Sequence, residues 1–324
     1  MNTFLGIDGG GTKTRFLLID AAGKVLASHL EGPAYYLEIG LDALQAMVVR
    51  GIRETLRKGF IASETLTFAF VGIPAYGEDR KVDPALDALP SAALPAGKYR
   101  CGNDMVCGWA GALACADGIN VVAGTGSIAY GEFEGRSARA GGWGELFGDE
   151  GSAYWLAREG LGLFSRMSDG RLPRGPLYEA VRSHFGLADD IDLCAEINGT
   201  NTGQQRSQFA QLAKLISKAA AGGDTAALSL FARATQELAA LAIAVRARLG
   251  APQDASLPVS YSGGMFEMGD VILAGFRSEL SRTPSLYRLV EPKLPPHVGA
   301  ALYAAKLAGA PLNDRSIETL RVAT

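Results

Sequence analysis

Histidine and cysteine, the residues that most often hold transition metals or attack substrates, are scarce in this chain. The three histidines are far apart in the sequence; they are His29, His184 and His297. The four cysteines form no CxxC pair; they are Cys101, Cys107, Cys115 and Cys194. A histidine-based metal centre, a Ser-His-Asp triad and a disulfide framework therefore have little to build on. Cys107 and Cys115 fall in a helical, apolar stretch, and we expect these two to be buried thiols.

The chain also lacks an excess of charge and a long apolar run. Lys and Arg number 31 and Asp and Glu number 34, which gives a formal net charge of −3, and no long basic run is present. No stretch reaches about 18 uninterrupted apolar residues, and no charged segment followed by an apolar one opens the chain. We therefore expect no nucleic-acid partner, no membrane partner and a cytoplasmic location.

What the sequence has is enough chain for two α/β domains. Its 324 residues, 48% of them hydrophobic, suit two cores of ordinary size. The pattern predicts three strands, then helix, strand, helix and strand over residues 1–104 as a first domain. A similar order restarts after residue 104, so residues 105–324 form a larger second domain. Both halves open with strands joined by a glycine-rich turn, "DGGGTKT" and "AGTGSIA", which is a weak internal repeat.

Helical patterns dominate the second half of the chain. We predict helices over about 151–167 and 175–185, a long pair over 206–249 that breaks at "AGGDT", and a helix in "MFEMGDVILAGFRSEL" after the strand "LPVSYSGG". The last clear element is a helix over 297–308, which could pack back on the first domain.

The turn "DGGGTKT" places three glycines between two predicted strands. Glycine permits a tight hairpin, and it also lets backbone N–H groups approach an anion that a Cβ would block. Both uses are open from the residues alone. The segment is neither a Walker A loop nor a dinucleotide fingerprint, because a strand and not a helix follows it.

Four glycine-rich segments recur at predicted strand ends: "DGGGTKT", "AGTGS", "GGWGELFGDEGSAYW" and "SGGMF". Together and in this order they resemble the actin-like ATPase superfamily of sugar kinases, and more closely the N-acetylglucosamine kinase branch of the BadF/BadG/BcrA/BcrD-type ATPase family. The resemblance runs from Gly6 to about Gly309. It implies an α/β fold of two actin-like (ribonuclease H-like) domains around a nucleotide and sugar cleft.

The resemblance implies ATP and Mg²⁺ as cofactors and assigns the residues that would bind them. Asp8 would hold the metal, and Ser262 to Phe266 would form the adenosine segment, although a plain strand-to-helix junction explains that segment equally well. The expected nucleotide-binding residues are Gly9, Gly10, Gly11, Thr12, Lys13, Thr14, Gly124, Thr125, Gly126, Ser127, Gly263, Gly264 and Met265.

Asp104 and the segment around Trp143 are the expected sugar site. Asp104 follows a strand and starts a helix, so it has the sequence signature of an N-cap, and the resemblance makes it the general base as well. The resemblance also implies sugar contacts from Asp104, Gly142, Trp143, Gly144 and Asp149. Asp149 and Glu150 could instead simply cap the helix that follows them.

One departure from the family pattern concerns the sugar. Kinases of this branch commonly carry an Asn near the end of the third strand, whereas this chain has Tyr35 and Tyr36 in that neighbourhood. We expect this change to leave the kinase chemistry intact, but the sequence does not decide which substituent the sugar carries at its 2-position.

The expected function is phosphorylation of N-acetylglucosamine at its 6-hydroxyl, with glucosamine as the alternative amino sugar. Two further alternatives share the fold: an ATPase that activates another enzyme through an iron–sulfur cluster, and a non-catalytic sugar sensor. The cysteine spacing argues against the first, and the absence of a zinc-binding cysteine cluster argues against the second. The resemblance also allows a homodimer.

Overall fold

The computed structural model describes residues 2–199, 206–268, 270–283 and 285–324. The chain divides into two compact units. Unit 1 contains Met1–Asn120 and Glu291–Thr324, and unit 2 contains Val121–Val290.

Unit 1 is built on a five-stranded sheet of order β3-β2-β1-β4-β5. Its strands are β1 (Thr3–Gly9), β2 (Thr14–Asp20), β3 (Val25–Glu31), β4 (Phe68–Ile73) and β5 (Tyr99–Asn103). β1 runs antiparallel to β2 and parallel to β4, and β4 runs parallel to β5. β1 and β4 are almost wholly buried, as expected for central strands covered on both faces.

The helices of unit 1 cover this sheet. They are α1 (Tyr36–Ile39), α2 (Leu41–Lys58), α3 (Asp83–Ala88), α4 (Met105–Leu113), α12 (Pro296–Leu307) and α13 (Asp314–Ala323). α2 packs on β2 and β3, while α12 packs on β1 and β4. Gly6 permits the close approach of α12, because a Cβ there would lie 2.1 Å from the backbone nitrogen of Ala301.

The division between the units differs from the expected boundary at residue 104. Helix α4 packs against α12, where a Cβ on Gly299 would lie 2.2 Å from both the Cys107 carbonyl oxygen and the Gly111 nitrogen. This close crossing keeps α4 and the C-terminal helices with the first sheet. Residues 105–120 and 291–324 therefore belong to unit 1.

Unit 2 is built on a second five-stranded sheet of order β10-β9-β6-β7-β8. Its strands are β6 (Gly118–Ala123), β7 (Ser127–Phe133), β8 (Arg136–Gly141), β9 (Leu257–Ser262) and β10 (Tyr287–Leu289), and β6 begins in unit 1. β7 and β8 are antiparallel, whereas β9 and β10 are parallel. Two mixed five-stranded sheets confirm the predicted α/β, actin-like fold class.

Most helices of unit 2 lie between β8 and β9 in the order of the chain. They are α5 (Ala153–Ser168), α6 (Pro176–Phe185), α7 (Leu193–Gly199), α8 (Arg206–Ala210), α9 (Ala213–Ala221), α10 (Thr225–Leu249) and α11 (Asp270–Leu280). The predicted break at "AGGDT" is confirmed, since Asp224 caps α10 after two glycines. The first helix of the predicted pair is itself divided, because α8 ends at Ala210 and α9 begins at Ala213. The predicted helix after β9 begins only at Asp270, and Gly269 within the predicted range lies outside the described residues. β10 and α13 carry no strong sequence pattern and were not predicted.

Helix α10 is long and apolar enough to cross a membrane by length and composition. That test is weak for a single helix, because the core helix of a globular unit passes it too. α10 packs on β7, β8 and α11. Its buried Arg246 donates to the carbonyl oxygens of Leu286 and Pro252. These contacts are those of a core helix of unit 2.

Candidate functional site

The first glycine-rich turn joins β1 to β2 in unit 1. Gly9 pairs with Thr14 at the end of the ladder, and the Gly10 N–H donates to the Lys13 carbonyl oxygen at 3.1 Å. Gly11, Thr12 and Lys13 are exposed, and a Cβ on Gly11 would meet nothing within 4 Å. The turn is therefore a hairpin whose open face has room for an anion beside a hydroxyl and an ammonium group.

Gly9 and Thr14, at the two ends of this turn, have structural roles in the packing and hydrogen bonding of unit 1. A Cβ on Gly9 would lie 2.6 Å from the Gly72 carbonyl oxygen. Thr14 is completely buried, and its hydroxyl donates to the Gly32 carbonyl oxygen at 2.8 Å. The exposed candidates for phosphate contact are therefore concentrated in residues 10–13.

Two carboxylates stand near this turn. Asp8 lies in β1 and Asp104 directly follows β5, with Gly72 of β4 between them: a Cβ on Gly72 would come within 3.3 Å of both the Ile7 carbonyl oxygen and the Asp104 Cα. Burial and then the charge of Asp104 raise the pKa of Asp8 to about 7, against the opposing charge of Arg15. Burial and then the charge of Glu78 raise the pKa of Asp104 to about 7.

Asp104 occupies the N-cap position of α4 without capping it. Its side chain makes no capping hydrogen bond. The Asn103 side-chain oxygen accepts from the Met105 N–H at 3.0 Å instead, and the Asn103 amide donates to the Tyr76 carbonyl oxygen at 3.0 Å. The N-cap interpretation of Asp104 is therefore wrong, because Asn103 takes that role and leaves the Asp104 carboxylate for other work.

The Asp8 and Asp104 pair fits a divalent cation that shares its coordination with a phosphate. The charge of Asp104 raises the proton affinity of Asp8, and a cation beside the two carboxylates would relieve this effect. Among the described residues, no group of three acidic, His or Cys side chains could hold a metal by itself. Mg²⁺ in nucleotide sites is commonly held by one or two carboxylates together with phosphates and water. Asp8 is the residue that would hold it here.

Two further groups of unit 1, His297 and Tyr36, are affected by charges that also act on these carboxylates. Burial, Arg15 and Lys13 lower the pKa of His297 in α12 to about 4, so its imidazole is neutral beside two cations. Burial raises the pKa of Tyr36, and Asp79 and Glu78 raise it further. Tyr36 therefore lies near the same acidic segment that influences Asp104.

The second glycine-rich turn, in unit 2, is bonded to the start of α5. The Gly124 carbonyl oxygen accepts from Ala153 N–H at 2.9 Å, and the Thr125 carbonyl oxygen accepts from Tyr154 N–H at 3.3 Å. The Ser127 hydroxyl donates to the Glu150 carbonyl oxygen at 2.7 Å. Residues 124–127 and 149–154 therefore form one hydrogen-bonded structure. A Cβ on Gly124 would meet nothing within 4 Å, so the turn is open on that side.

The segment expected to bind the sugar combines an exposed loop with a buried carboxylate. Gly142 and Gly144 have positive φ angles of 70° and 86°, and Trp143 between them is 66% exposed. Asp149 is buried, with a φ of 57° that a non-glycine residue rarely adopts. Backbone strain of this kind is often found at functional sites.

Asp149 does not cap α5. Ser152 does so, because its hydroxyl accepts from the Trp155 N–H at 3.2 Å. Asp149 instead accepts from the Ser127 N–H at 3.3 Å and forms an ion pair with Arg206. Arg206 Nε also lies 3.1 Å from a carboxylate oxygen of Glu145. The sequence offered no signal for Arg206, since it lies 57 residues from Asp149.

The predicted adenosine segment is a turn held tightly against β6. Gly263 has a φ of 98°, and a Cβ there would lie 2.4 Å from the Ala123 carbonyl oxygen. The Met265 side chain is completely buried, and its N–H donates to that same oxygen at 2.9 Å. A Cβ on Gly264 would meet nothing within 4 Å. Gly264 is therefore the open part of this turn, while Gly263 and Met265 hold it in place.

Comparison with known proteins places these features in a wider group. A model of the BadF/BadG/BcrA/BcrD ATPase family matches residues 5–304. The N-acetyl-D-glucosamine kinase of Dictyostelium discoideum is 29% identical over 313 residues, covering 93% of this chain and 97% of the relative. An N-acetylmuramic acid/N-acetylglucosamine kinase of Clostridium acetobutylicum is 28% identical over 307 residues, covering 94% and 98%.

A solved structure gives the same picture. The crystal structure of a Chromobacterium violaceum protein, provisionally assigned as an N-acetylglucosamine kinase, superposes with a TM-score of 0.72 at 28% identity. The match covers 93% of this chain and 98% of that chain.

Proposed function

Because this chain belongs to the BadF/BadG/BcrA/BcrD ATPase family, we propose that it is an ATP-dependent kinase that phosphorylates the 6-hydroxyl of N-acetylglucosamine. The observation that carries the proposal is the Asp104 carboxylate, which stands at a helix N-terminus without capping it and has a raised pKa beside Asp8. Relatives named as N-acetylglucosamine kinases match over nearly the whole chain, which supports the choice of acceptor.

The nucleotide residues would act chiefly by position and charge. The backbone of Gly10 and Gly11 and the Thr12 hydroxyl would contact phosphate oxygens, with Lys13 adding positive charge. Gly124 and Thr125 would contact phosphates from the second turn, and Gly264 would leave room for the nucleoside. Asp8 would hold Mg²⁺, which when bound supplies positive charge to the phosphates.

Asp104 would act as the general base. Its carboxylate would accept the proton of the sugar 6-hydroxyl as that oxygen attacks the γ-phosphorus and the bond to the β-phosphate oxygen breaks. A carboxyl with a pKa near the working pH suits this step, since it is partly ionised and still a competent base.

Unit 2 would contribute the sugar contacts. The exposed ring of Trp143 offers an apolar face for the ring of a hexosamine, and the glycines beside it allow backbone contacts with its polar groups. Asp149 would accept hydrogen bonds from sugar hydroxyls. A buried carboxylate in this role discriminates against sugars that lack those hydroxyls.

The test measures ADP formation from Mg-ATP with N-acetylglucosamine, glucosamine, N-acetylmannosamine, glucose and no sugar. We expect the highest kcat/KM with N-acetylglucosamine and little ADP without sugar. Asp104→Asn should lower kcat by roughly 100-fold or more with nucleotide affinity unchanged, because Asn cannot accept the proton. Equal ADP formation with and without sugar would contradict the proposal, and a preference for glucosamine would correct the acceptor.

A further inference from the structure

Arg206 joins the two features of unit 2 that the proposed function assigns to the sugar and to the phosphates. It is the first residue of α8, a short helix anchored by Phe209. The Phe209 ring packs on the Tyr154 ring with centroids 4.7 Å apart, and Ala157 belongs to the same buried cluster. Tyr154 in turn donates its N–H to Thr125 of the second glycine-rich turn. Helix α5, which carries Tyr154 and Ala157, therefore contacts both the helix that begins at Arg206 and the second glycine-rich turn.

The guanidinium of Arg206 meets two carboxylates of the sugar segment. It forms an ion pair with Asp149, and its Nε lies 3.1 Å from a Glu145 oxygen. The pair lies against Gly126, where a Cβ would come within 2.5 Å of the guanidinium and 2.7 Å of the Asp149 carboxylate. Gly126 is thus needed for the pair to reach this place.

We propose that Arg206 is a positioning residue that fixes the Asp149 carboxylate between the second glycine-rich turn and the sugar. The inference rests on the proposed function. An ionised carboxylate has about four acceptor positions, of which Arg206 and the Ser127 N–H use two. The proposed function assigns the remaining positions to sugar hydroxyls.

Arg206 also favours the ionised form of Asp149. Burial raises the pKa of Asp149, and the charge of Arg206 is the largest opposing influence. Other charged groups near this segment include Glu145 and Glu150 in the same loop and Arg158 in α5, whose guanidinium donates to the Glu145 carbonyl oxygen at 3.1 Å. The glycine-rich turn of residues 124–127 contributes no titratable side chain. Without Arg206, Asp149 would take up a proton more readily.

The experiment compares the full-length wild type with Arg206→Gln, Arg206→Lys and the control Arg171→Gln. Arg171 pairs with Asp169 and its side chain is 56% exposed, so its loss should leave the kinetics unchanged. Arg206→Gln should raise the sugar KM at least about tenfold while the ATP KM stays near the wild-type value. Its sugar KM should fall as pH rises, because Asp149 then ionises, and Arg206→Lys should remove this pH dependence.

The results of this experiment distinguish a failure of the role of Arg206 from a failure of the kinase proposal. An unchanged sugar KM in Arg206→Gln, or equal rises in the sugar and ATP KM without pH dependence, would overturn the role of Arg206 while leaving the kinase proposal intact. A wild type that neither phosphorylates any sugar in the panel nor binds one by calorimetry would overturn the proposed function, and this inference with it.

Discussion

At the start of α4, Asn103 makes the capping hydrogen bond and Asp104 supplies the candidate catalytic carboxylate. A single aspartate could have been expected to do both. Asn103 accepts the Met105 N–H and is itself held by the Tyr76 carbonyl oxygen. The Asp104 side chain makes no capping hydrogen bond. Its burial and the charge of Glu78 disfavour its ionised form, and they outweigh backbone hydrogen bonds from Asp104 and Met105. A carboxylate kept in that state costs the fold stability, as is common for catalytic groups.

Asp104→Asn should therefore stabilise the protein as it removes activity. A carboxyl whose pKa rises from 3.8 in the unfolded chain to about 7 in the fold loses stability as pH rises through that range. The cost is complete above about pH 7 and absent below about pH 4. In EDTA, we expect a Tm higher by roughly 2–4 °C at alkaline pH and no gain at acid pH.

Thermal unfolding at the two pH values checks this prediction. Asp254→Asn is the matched control, because Asp254 is exposed and lies in unit 2, and its Tm should follow the wild type at both pH values. A lower Tm for Asp104→Asn at alkaline pH would mean that the Asp104 charge stabilises the fold, contrary to our interpretation.

Two helices decide which parts of the chain belong to unit 1. α4 and α12 approach so closely that Gly299 has no room for a methyl group against the backbone of Cys107 and Gly111. On its other side α12 lies on β1, where Gly6 makes the same allowance for Ala301. α12 is thus packed between α4 and the strand that carries Asp8, so its placement supports the site.

Gly299→Ala should destabilise unit 1 by more than about 2 kcal/mol, because the added methyl group would overlap backbone atoms that cannot rotate away. Gly162→Ala is the matched control. Gly162 lies within helix α5, where a Cβ would meet nothing within 4 Å, so Ala should be neutral or stabilising by up to about 1 kcal/mol. Urea unfolding of both variants checks this, and equal stabilities would contradict the close crossing.

Some features of the whole molecule depend on residues that are close together in the sequence, and others depend on residues that are far apart in it. The α/β class and the glycine-rich turns were predictable, because alternating strands, amphipathic helices and glycine runs are local patterns. The sequence allowed the C-terminal helix to pack back on the first domain, as α12 does. It predicted neither the close crossing of α12 with α4 nor the pairing of Arg206 with Asp149. Those contacts join residues far apart in the chain, and no local pattern records them.

The alternatives left open at Asp104 and Asp149 illustrate the same limit. Each aspartate precedes a helix, so each has the sequence signature of an N-cap. The structure shows that Asn103 and Ser152 make the capping hydrogen bonds instead. An amide or hydroxyl one to three residues away gives the same local signal as the aspartate itself. Sequence patterns therefore located both carboxylates but could not assign their partners.

The most direct test of the account is to identify the product. Full-length protein, Mg-ATP and N-acetylglucosamine are incubated together, and the mixture is followed by ³¹P and ¹³C NMR spectroscopy. We predict a phosphomonoester whose phosphorus couples to carbon 6 of the sugar, formed in step with ADP and lost in Asp104→Asn. Release of inorganic phosphate alone, or an unchanged ATP spectrum, would contradict a sugar kinase.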